Sequence, residues 1–167
     1  PTLQDCIDAG MRIRFCGRDQ YAMRYDEAWR TRLAVESDAW VIPEGGDGPE
    51  GREGFGLLAS LFEPYDEVWV AAGTGTTAQG IAEQLRADQT LVIVNAVQDQ
   101  GVLEAQLKAS SYSPEIRFAH QPENLRFGKL SPALRKLIAD ADRAGLMLDP
   151  VYTVRLLAAW LMAQDTE

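Results

Sequence analysis

Residues 68–84 read VWVAAGTGTTAQGIAEQ, and this stretch decides the fold. Its first five residues are all apolar, as in a strand that is buried on both faces of its sheet. A turn of glycine and threonine follows at residues 73–77, and a helical pattern begins where the turn ends. A buried strand that leads through such a turn into a helix is typical of parallel α/β domains.

The rest of the chain continues this alternation of apolar runs and helical patterns. Candidate strands lie at residues 11–15, 39–42, 67–72, 90–94 and 115–119. Candidate helices lie at residues 3–9, 25–35, 53–62, 77–86 and 101–109. Two further helices are predicted, from Ser131-Pro132 to Gly145 and from Asp149-Pro150 to about residue 163. We therefore predict an α/β fold with a mostly parallel sheet and helices on both faces.

The composition limits the classes of protein to which the chain can belong. With 16 basic and 25 acidic residues the formal net charge is -9, so we expect no binding to nucleic acid. No apolar run approaches the roughly 20 residues of a membrane span, so we expect no membrane partner. Cys6 and Cys16 lack the spacing of a disulfide or metal motif, which favours a reducing, cytoplasmic compartment.

The turn has the chemistry of a phosphate site. Gly73 and Gly75 let a ligand approach the backbone, and Thr74, Thr76 and Thr77 add hydroxyl donors. The start of the following helix adds unpaired N–H groups. We therefore predict that the turn binds an anion, and we expect Gly75→Val to abolish this binding while leaving the fold largely intact. Glycine is also common in any tight strand-to-helix turn, so a purely structural turn is the alternative.

Two known phosphate-binding loops can be compared with this turn. A Walker loop needs the sequence Gly-Lys-Ser/Thr, and no lysine precedes residue 108. The pattern Gly73-x-Gly75-x-x-Ala78 fits the dinucleotide fingerprint, but the next predicted strand ends at Asn95 and not at an acidic residue that holds a ribose. A dinucleotide-binding or non-catalytic module that uses the turn is therefore an alternative to the interpretation below.

Other candidate residues lie near predicted element ends. Tyr152 and Thr153 follow Asp149-Pro150, where Asp149 is expected to cap the last helix. The alternative for both residues is a capped helix with a packed tyrosine. His120 is the only histidine, so no metal site of usual composition is predicted. In the glycine-rich loop at residues 43–51, Gly45 and Gly46 can approach a ligand.

Four ordered segments resemble the 1-aminocyclopropane-1-carboxylate (ACC) deaminase and D-cysteine desulfhydrase family. They are VIPEGG at residues 41–46, AAGTGTTAQG at 71–80, FGK at 127–129 and LDPVYT at 148–153. The resemblance implies a pyridoxal-phosphate enzyme of fold type II, the tryptophan-synthase-β type, whose glycine and threonine loop binds the cofactor phosphate. It implies a deaminase or desulfhydrase that acts on a small amino acid and releases ammonia and a 2-oxo acid.

The resemblance also implies roles for individual residues. It assigns the cofactor phosphate to the turn, a catalytic role beside the substrate to Tyr152, and contact with the pyridine nitrogen to Thr153. The residues of the turn are Gly73, Thr74, Gly75, Thr76 and Thr77. Ring-opening members of the family have a carboxylate where Thr153 offers a neutral hydrogen bond, so we expect elimination from D-cysteine rather than opening of a cyclopropane. Phe127 stands where the family has a second tyrosine.

One residue that the family needs is missing. The family attaches its cofactor to a lysine in an N-terminal portion, and Lys108, Lys129 and Lys136 match no such motif. We therefore expect residues 1–167 to be the cofactor-phosphate-binding part of a longer, two-domain enzyme, without its N-terminal lysine-bearing portion. We expect this fragment to be inactive alone, and homodimer formation stays open.

Overall fold

The computed structural model describes residues 2–97, 101–120 and 128–165. The chain forms two compact units, residues 1–44 and residues 45–167. The second unit contains the predicted turn and most of the residues assigned to the site.

The first unit is helical in its described residues. It contains α1 (Thr2–Asp8), α2 (Arg18–Ala22), a 3-10 helix (Met23–Tyr25) and α3 (Glu27–Ser37). The Asp26 carboxylate caps α3 by accepting from the Trp29 N–H at 2.6 Å. Glu44, at the end of this unit, accepts hydrogen bonds from the Tyr21 hydroxyl at 2.7 Å and from Arg24 Nε at 2.5 Å.

The two strands predicted at residues 11–15 and 39–42 are absent, so this part of the prediction is wrong. Both segments are irregular, and Phe15 and Trp40 are 80% and 79% exposed. A strand is stabilised by pairing with a neighbour, and neither segment belongs to the sheet that the described residues form. An apolar run indicates that a segment can form a buried strand, but it does not indicate whether a neighbouring strand is present to pair with it.

The second unit is built around a parallel three-stranded sheet. Its strands are β1 (Glu67–Ala72), β2 (Thr90–Asn95) and β3 (Glu115–Phe118), in the order β1-β2-β3. In the register of the sheet, Val70 is the partner of Ile93 and Ile93 is the partner of Phe118. The three strands predicted in this part of the chain are confirmed, as is their parallel arrangement.

The helices of the second unit are α4 (Pro49–Glu53), α5 (Ala59–Phe62), α6 (Thr76–Ala82), α7 (Val102–Ala109), α8 (Pro132–Arg143) and α9 (Thr153–Gln164). They follow the predicted order except for α4, which begins within the loop predicted at residues 43–51. Shorter 3-10 helices span Glu44–Gly46 and Gly54–Leu58. The latter divides the helix predicted at residues 53–62, because Gly54 and Gly56 weaken a continuous α-helix. Within the described ranges, no helix has the length and apolar character needed to cross a membrane.

Helices cover both faces of the sheet, which confirms the predicted fold class. On one face, Val70 and Ile93 pack in a buried cluster with residues of α6 and α7, among them Ile81 and Leu107. On the other face, Trp69 and Val92 line a groove together with Ala159 of α9. Because the sheet is parallel, β1 and β2 end at the same edge, and the turn after β1 lies at that edge.

Candidate functional site

The turn after β1 depends on a glycine at position 75. Gly75 has a φ of 95°, in the left-handed region that favours glycine, and it precedes the first residue of α6. A Cβ atom placed on Gly75 would overlap the Leu103 side chain of α7. The expectation that Gly75→Val leaves the fold largely intact is therefore wrong, because the new side chain would point into the packing between α6 and α7.

A row of unpaired backbone donors lies in the turn. Within the described residues, the first N–H after β1 that donates to the backbone is that of Gln79, to the Gly75 carbonyl at 2.9 Å. The N–H groups of residues 74–78 therefore have no partner in this part of the structure. The side chains of Thr74 and Thr77 are exposed, and the Thr74 hydroxyl lies 3.3 Å from that of buried Thr76. These groups give the turn several hydrogen-bond donors for an anion.

A second glycine-rich segment packs beside the turn. Gly45 has a φ of 70°, and a Cβ atom placed on it would overlap the Thr74 side chain. A Cβ atom on Gly51 would lie 3.2 Å from the Thr76 methyl group and would overlap the Gly46 carbonyl. The loop predicted to approach a ligand therefore lies against two of the three threonines of the turn, Thr74 and Thr76.

Tyr152 lies against the turn, although the two are far apart in sequence. Its hydroxyl oxygen is 3.0 Å, and its ring carbon Cε1 3.1 Å, from the position that a Cβ atom on Gly73 would occupy. The absence of a side chain on Gly73 therefore makes room for the tyrosine ring. Tyr152 is 36% exposed, so it is accessible from solvent. The structure thus brings together the two features that the sequence singled out.

The start of α9 is organised by the Asp149 carboxylate. It accepts from the N–H groups of Val151 at 2.8 Å, Tyr152 at 2.7 Å and Thr153 at 2.8 Å, and from the Thr153 hydroxyl at 2.6 Å. The helix itself begins at Thr153, three residues later than an N-cap at Asp149 implies. Asp149 still accepts hydrogen bonds from the backbone that leads into α9, but the helix starts further along the chain than predicted.

These contacts change the pKa of Asp149. Burial removes water from the carboxylate and by itself raises the pKa. The hydrogen bonds from the Thr153 hydroxyl and from the three backbone N–H groups lower it by more, so the pKa falls from 3.8 to about 2. Asp149 is therefore ionised at neutral pH.

Gln79 is a residue beneath the turn that sequence reasoning missed. It is buried, and in the described part of the chain its Nε2 has no hydrogen-bond partner. Nε2 lies 3.4 Å from the Cβ position of Gly75, and Oε1 lies 3.5 Å from the Tyr112 hydroxyl. In the sequence, Gln79 is recognisable only as a polar residue four positions after Gly75. Polar residues are also common on the exposed faces of helices, so this position does not distinguish it.

The remaining candidates lie elsewhere or outside the described residues. His120 lines a cavity of about 310 Å³ with Trp69, Arg117 and Met162, and no residue of the turn lines it. Phe127 lies outside the described residues. Lys108 is on α7 and Lys136 on α8, as expected from the sequence.

Comparison with known proteins shows a similarity of fold to solved structures. No protein-family model matches the chain, and no curated protein matches it. Among solved structures, the chain is similar to the crystal structure of an ACC deaminase homologue, with a TM-score of 0.66 and 22% sequence identity. The similarity covers 92% of this chain and 54% of the other, so this chain spans about half the length of that protein. The two proteins share a fold in the part that aligns.

Proposed function

We propose that this chain is the cofactor-phosphate-binding part of a pyridoxal-phosphate-dependent deaminase or desulfhydrase that acts on a small amino acid. The observation that carries the proposal is the contact between Tyr152 and Gly73 beside a turn of unpaired N–H groups. The fold shared with an ACC deaminase homologue supports it. The four sequence segments that resemble this family support it independently, because two of them form the turn and the start of α9.

The donors in the turn fit the phosphate of this cofactor. A phosphate dianion accepts several hydrogen bonds, and residues 74–78 offer consecutive N–H groups without partners in the described structure. Thr74 and Thr77 are exposed residues, and their hydroxyls can add two more donors. When bound, pyridoxal phosphate supplies a ring that withdraws electrons from bonds at the α-carbon of an amino acid. We propose that Gly73, Thr74, Gly75, Thr76 and Thr77 hold its phosphate.

Tyr152 and Thr153 are proposed to act at the other end of the cofactor. The Tyr152 hydroxyl lies next to the turn and remains accessible, so we assign it the transfer of a proton at its Oη atom. Thr153 follows it at the first position of α9 and would orient the ring. Elimination from a small amino acid such as D-cysteine is the proposed reaction, with ammonia and a 2-oxo acid as products.

Covalent attachment of the cofactor is not assigned to this chain. Lys108 Nζ pairs with Glu104 at 2.6 Å, and Lys136 Nζ pairs with Asp140 at 2.6 Å, in each case along the surface of one helix. We propose that the attaching lysine belongs to another segment of the parent enzyme. This chain alone would then bind the cofactor phosphate without performing the reaction.

Binding of pyridoxine 5'-phosphate tests the proposal. This compound has the ring and phosphate but no aldehyde, so its affinity, measured by calorimetry, is independent of any lysine. Thr77→Glu should abolish binding, because a carboxylate in the turn repels the phosphate. It should not disrupt α6, because an acidic residue in the first turn of a helix is stabilising. Thr31→Glu, on the exposed surface of α3, is the matched control and should bind normally.

Two outcomes contradict the proposal. If the wild-type chain does not bind pyridoxine 5'-phosphate, or if Thr77→Glu binds it as well as wild type does, the turn is not its phosphate site. If NAD binds in the turn and displaces the probe, the dinucleotide-binding alternative is favoured instead.

A further inference from the structure

Two glutamines are buried within the described residues, and their amide groups have different surroundings. Gln79 lies on α6 and Gln89 precedes β2. They are 6% and 2% exposed. Burying an amide without hydrogen-bond partners costs free energy, so nearly all buried amides in folded proteins are paired. A buried amide that lacks a partner therefore needs a reason.

The Gln89 amide is paired on both sides by the fold. Its Nε2 donates to the carbonyls of Phe62 at 2.8 Å and Tyr65 at 2.6 Å. Its Oε1 accepts from the Arg86 N–H at 2.8 Å. This amide joins the end of α5 to the segment before β2, so its role is structural.

The Gln79 amide is paired on one side only. Its Oε1 lies 3.5 Å from the Tyr112 hydroxyl, from which it accepts. Its Nε2 carries two N–H groups and has no partner in the described part of the chain. Two donors are therefore buried at a cost in free energy that no contact among the described residues offsets.

These two donors lie beside the turn at residues 73–77. Nε2 is 3.4 Å from the position that a Cβ atom on Gly75 would occupy, and that position is one bond from Gly75 Cα. The backbone N–H of Gln79 donates to the Gly75 carbonyl at 2.9 Å, which holds the residue at this place. Leu103 lies against the same position, and apolar surroundings strengthen a hydrogen bond to a charged group.

We infer that Gln79 is a further ligand-binding residue of the turn, whose Nε2 donates to the anion held there. The inference rests on the proposed function in taking the turn to be a phosphate site. A phosphate accepts many hydrogen bonds, and its charge makes each of them stronger than a bond between neutral groups. Tyr112 is a positioning residue, because its bond to Oε1 keeps the amide N–H groups, and not the carbonyl, toward Gly75.

Substitution of Gln79 by methionine tests the inference in the full chain. Gln79→Met keeps a side chain of similar length but removes the amide. The probes are pyridoxine 5'-phosphate, measured by calorimetry, and inorganic phosphate, measured by its competition with that probe. Both should bind about tenfold more weakly or worse, because each loses a hydrogen bond to a charged group. The melting temperature without ligand should stay the same or rise, because two unpaired donors are removed.

Gln89→Met is the matched control, because it makes the same substitution at the paired glutamine. Its melting temperature should fall by several degrees and its affinity for both probes should match wild type. Tyr112→Phe should weaken binding by less than Gln79→Met does. It should add nothing in the double variant, because its effect passes through the Gln79 amide.

Each contrary result identifies what has failed. If Gln79→Met binds both probes as wild type does, or loses affinity only for pyridoxine 5'-phosphate, Nε2 does not bind the phosphate and the inference is overturned. If Gln79→Met does not fold, unchanged affinity in Tyr112→Phe overturns it. If wild type binds inorganic phosphate but not pyridoxine 5'-phosphate, the proposed function fails while the inference is still decided by Gln79→Met. If wild type binds neither probe, both fail.

Discussion

The hydroxyl oxygen of Tyr152 lies 3.0 Å from the point at which a side chain on Gly73 would begin. The side chain of Tyr152, the residue before α9, therefore packs against the glycine that follows β1. This contact places the predicted catalytic tyrosine beside the predicted anion-binding turn. A side chain at position 73 would overlap the tyrosine ring, which explains the glycine there.

Gly73→Ala should displace the Tyr152 ring with little loss of stability. The new methyl group meets the far end of a partly exposed side chain, which can rotate away, so we expect a change of less than about 1 kcal/mol in the free energy of unfolding. Binding of pyridoxine 5'-phosphate should weaken, because the displaced ring enters the space beside the turn. Gly54→Ala is the matched control, since a Cβ atom there meets nothing within 4 Å. Equal affinity in Gly73→Ala and wild type would show that Tyr152 is not held beside the ligand.

Gly75→Ala should destabilise the fold through two separable effects. The left-handed backbone costs roughly 1–2 kcal/mol for a residue with a side chain, and the overlap with Leu103 adds roughly 1–3 kcal/mol. Gly145→Ala measures the first effect alone, because Gly145 has a φ of 81° and open space around its Cβ position. Urea unfolding of both variants gives the difference. A loss no larger for Gly75→Ala than for Gly145→Ala would mean that α7 yields to the new methyl group.

The Asp149 carboxylate should stabilise the chain only above acidic pH. Its pKa is about 2 in the folded chain and 3.8 ordinarily, so the unfolded chain binds more protons between these values. The stabilisation is therefore fully present above about pH 4 and is lost as the pH falls through about 2. The free energy of unfolding of wild type, measured relative to Asp149→Asn, should decrease over this window. A difference that is constant from pH 5 to about pH 2 would contradict the low pKa.

Borohydride treatment of the chain with pyridoxal phosphate should not trap a stoichiometric adduct on one lysine. Lys108 and Lys136 are exposed and held by carboxylates on their own helices, and Lys129 is an exposed loop residue. Mass spectrometry of the reduced chain should therefore show only low, scattered labelling, which Lys129→Arg leaves nearly unchanged. A single adduct that Lys129→Arg removes would give this chain its own attachment residue and overturn the proposal that it is inactive alone.

The contrast between two apolar runs explains how far the sequence predicts the fold. Residues 67–72 and residues 11–15 both have the composition of a strand, but only the first pairs with a neighbour in the described structure. The composition of a segment shows whether its side chains prefer burial. This preference is a local property, so it can be read from the sequence. Pairing depends on a second segment being present at hydrogen-bonding distance, which no local pattern records.

For the site, the sequence by itself determined the turn and its chemistry, because a positive φ at Gly75 and the unpaired N–H groups at the start of α6 follow from local order along the chain. Only the tertiary structure decided that Tyr152 lies against Gly73 and that Gly75 faces Leu103. These contacts join segments that are far apart in sequence, and their geometry is set by how α7 and α9 pack on the sheet. The tertiary structure likewise decided that, among the described residues, the Nε2 of buried Gln89 is paired and the Nε2 of buried Gln79 is not, because no local pattern distinguishes the two.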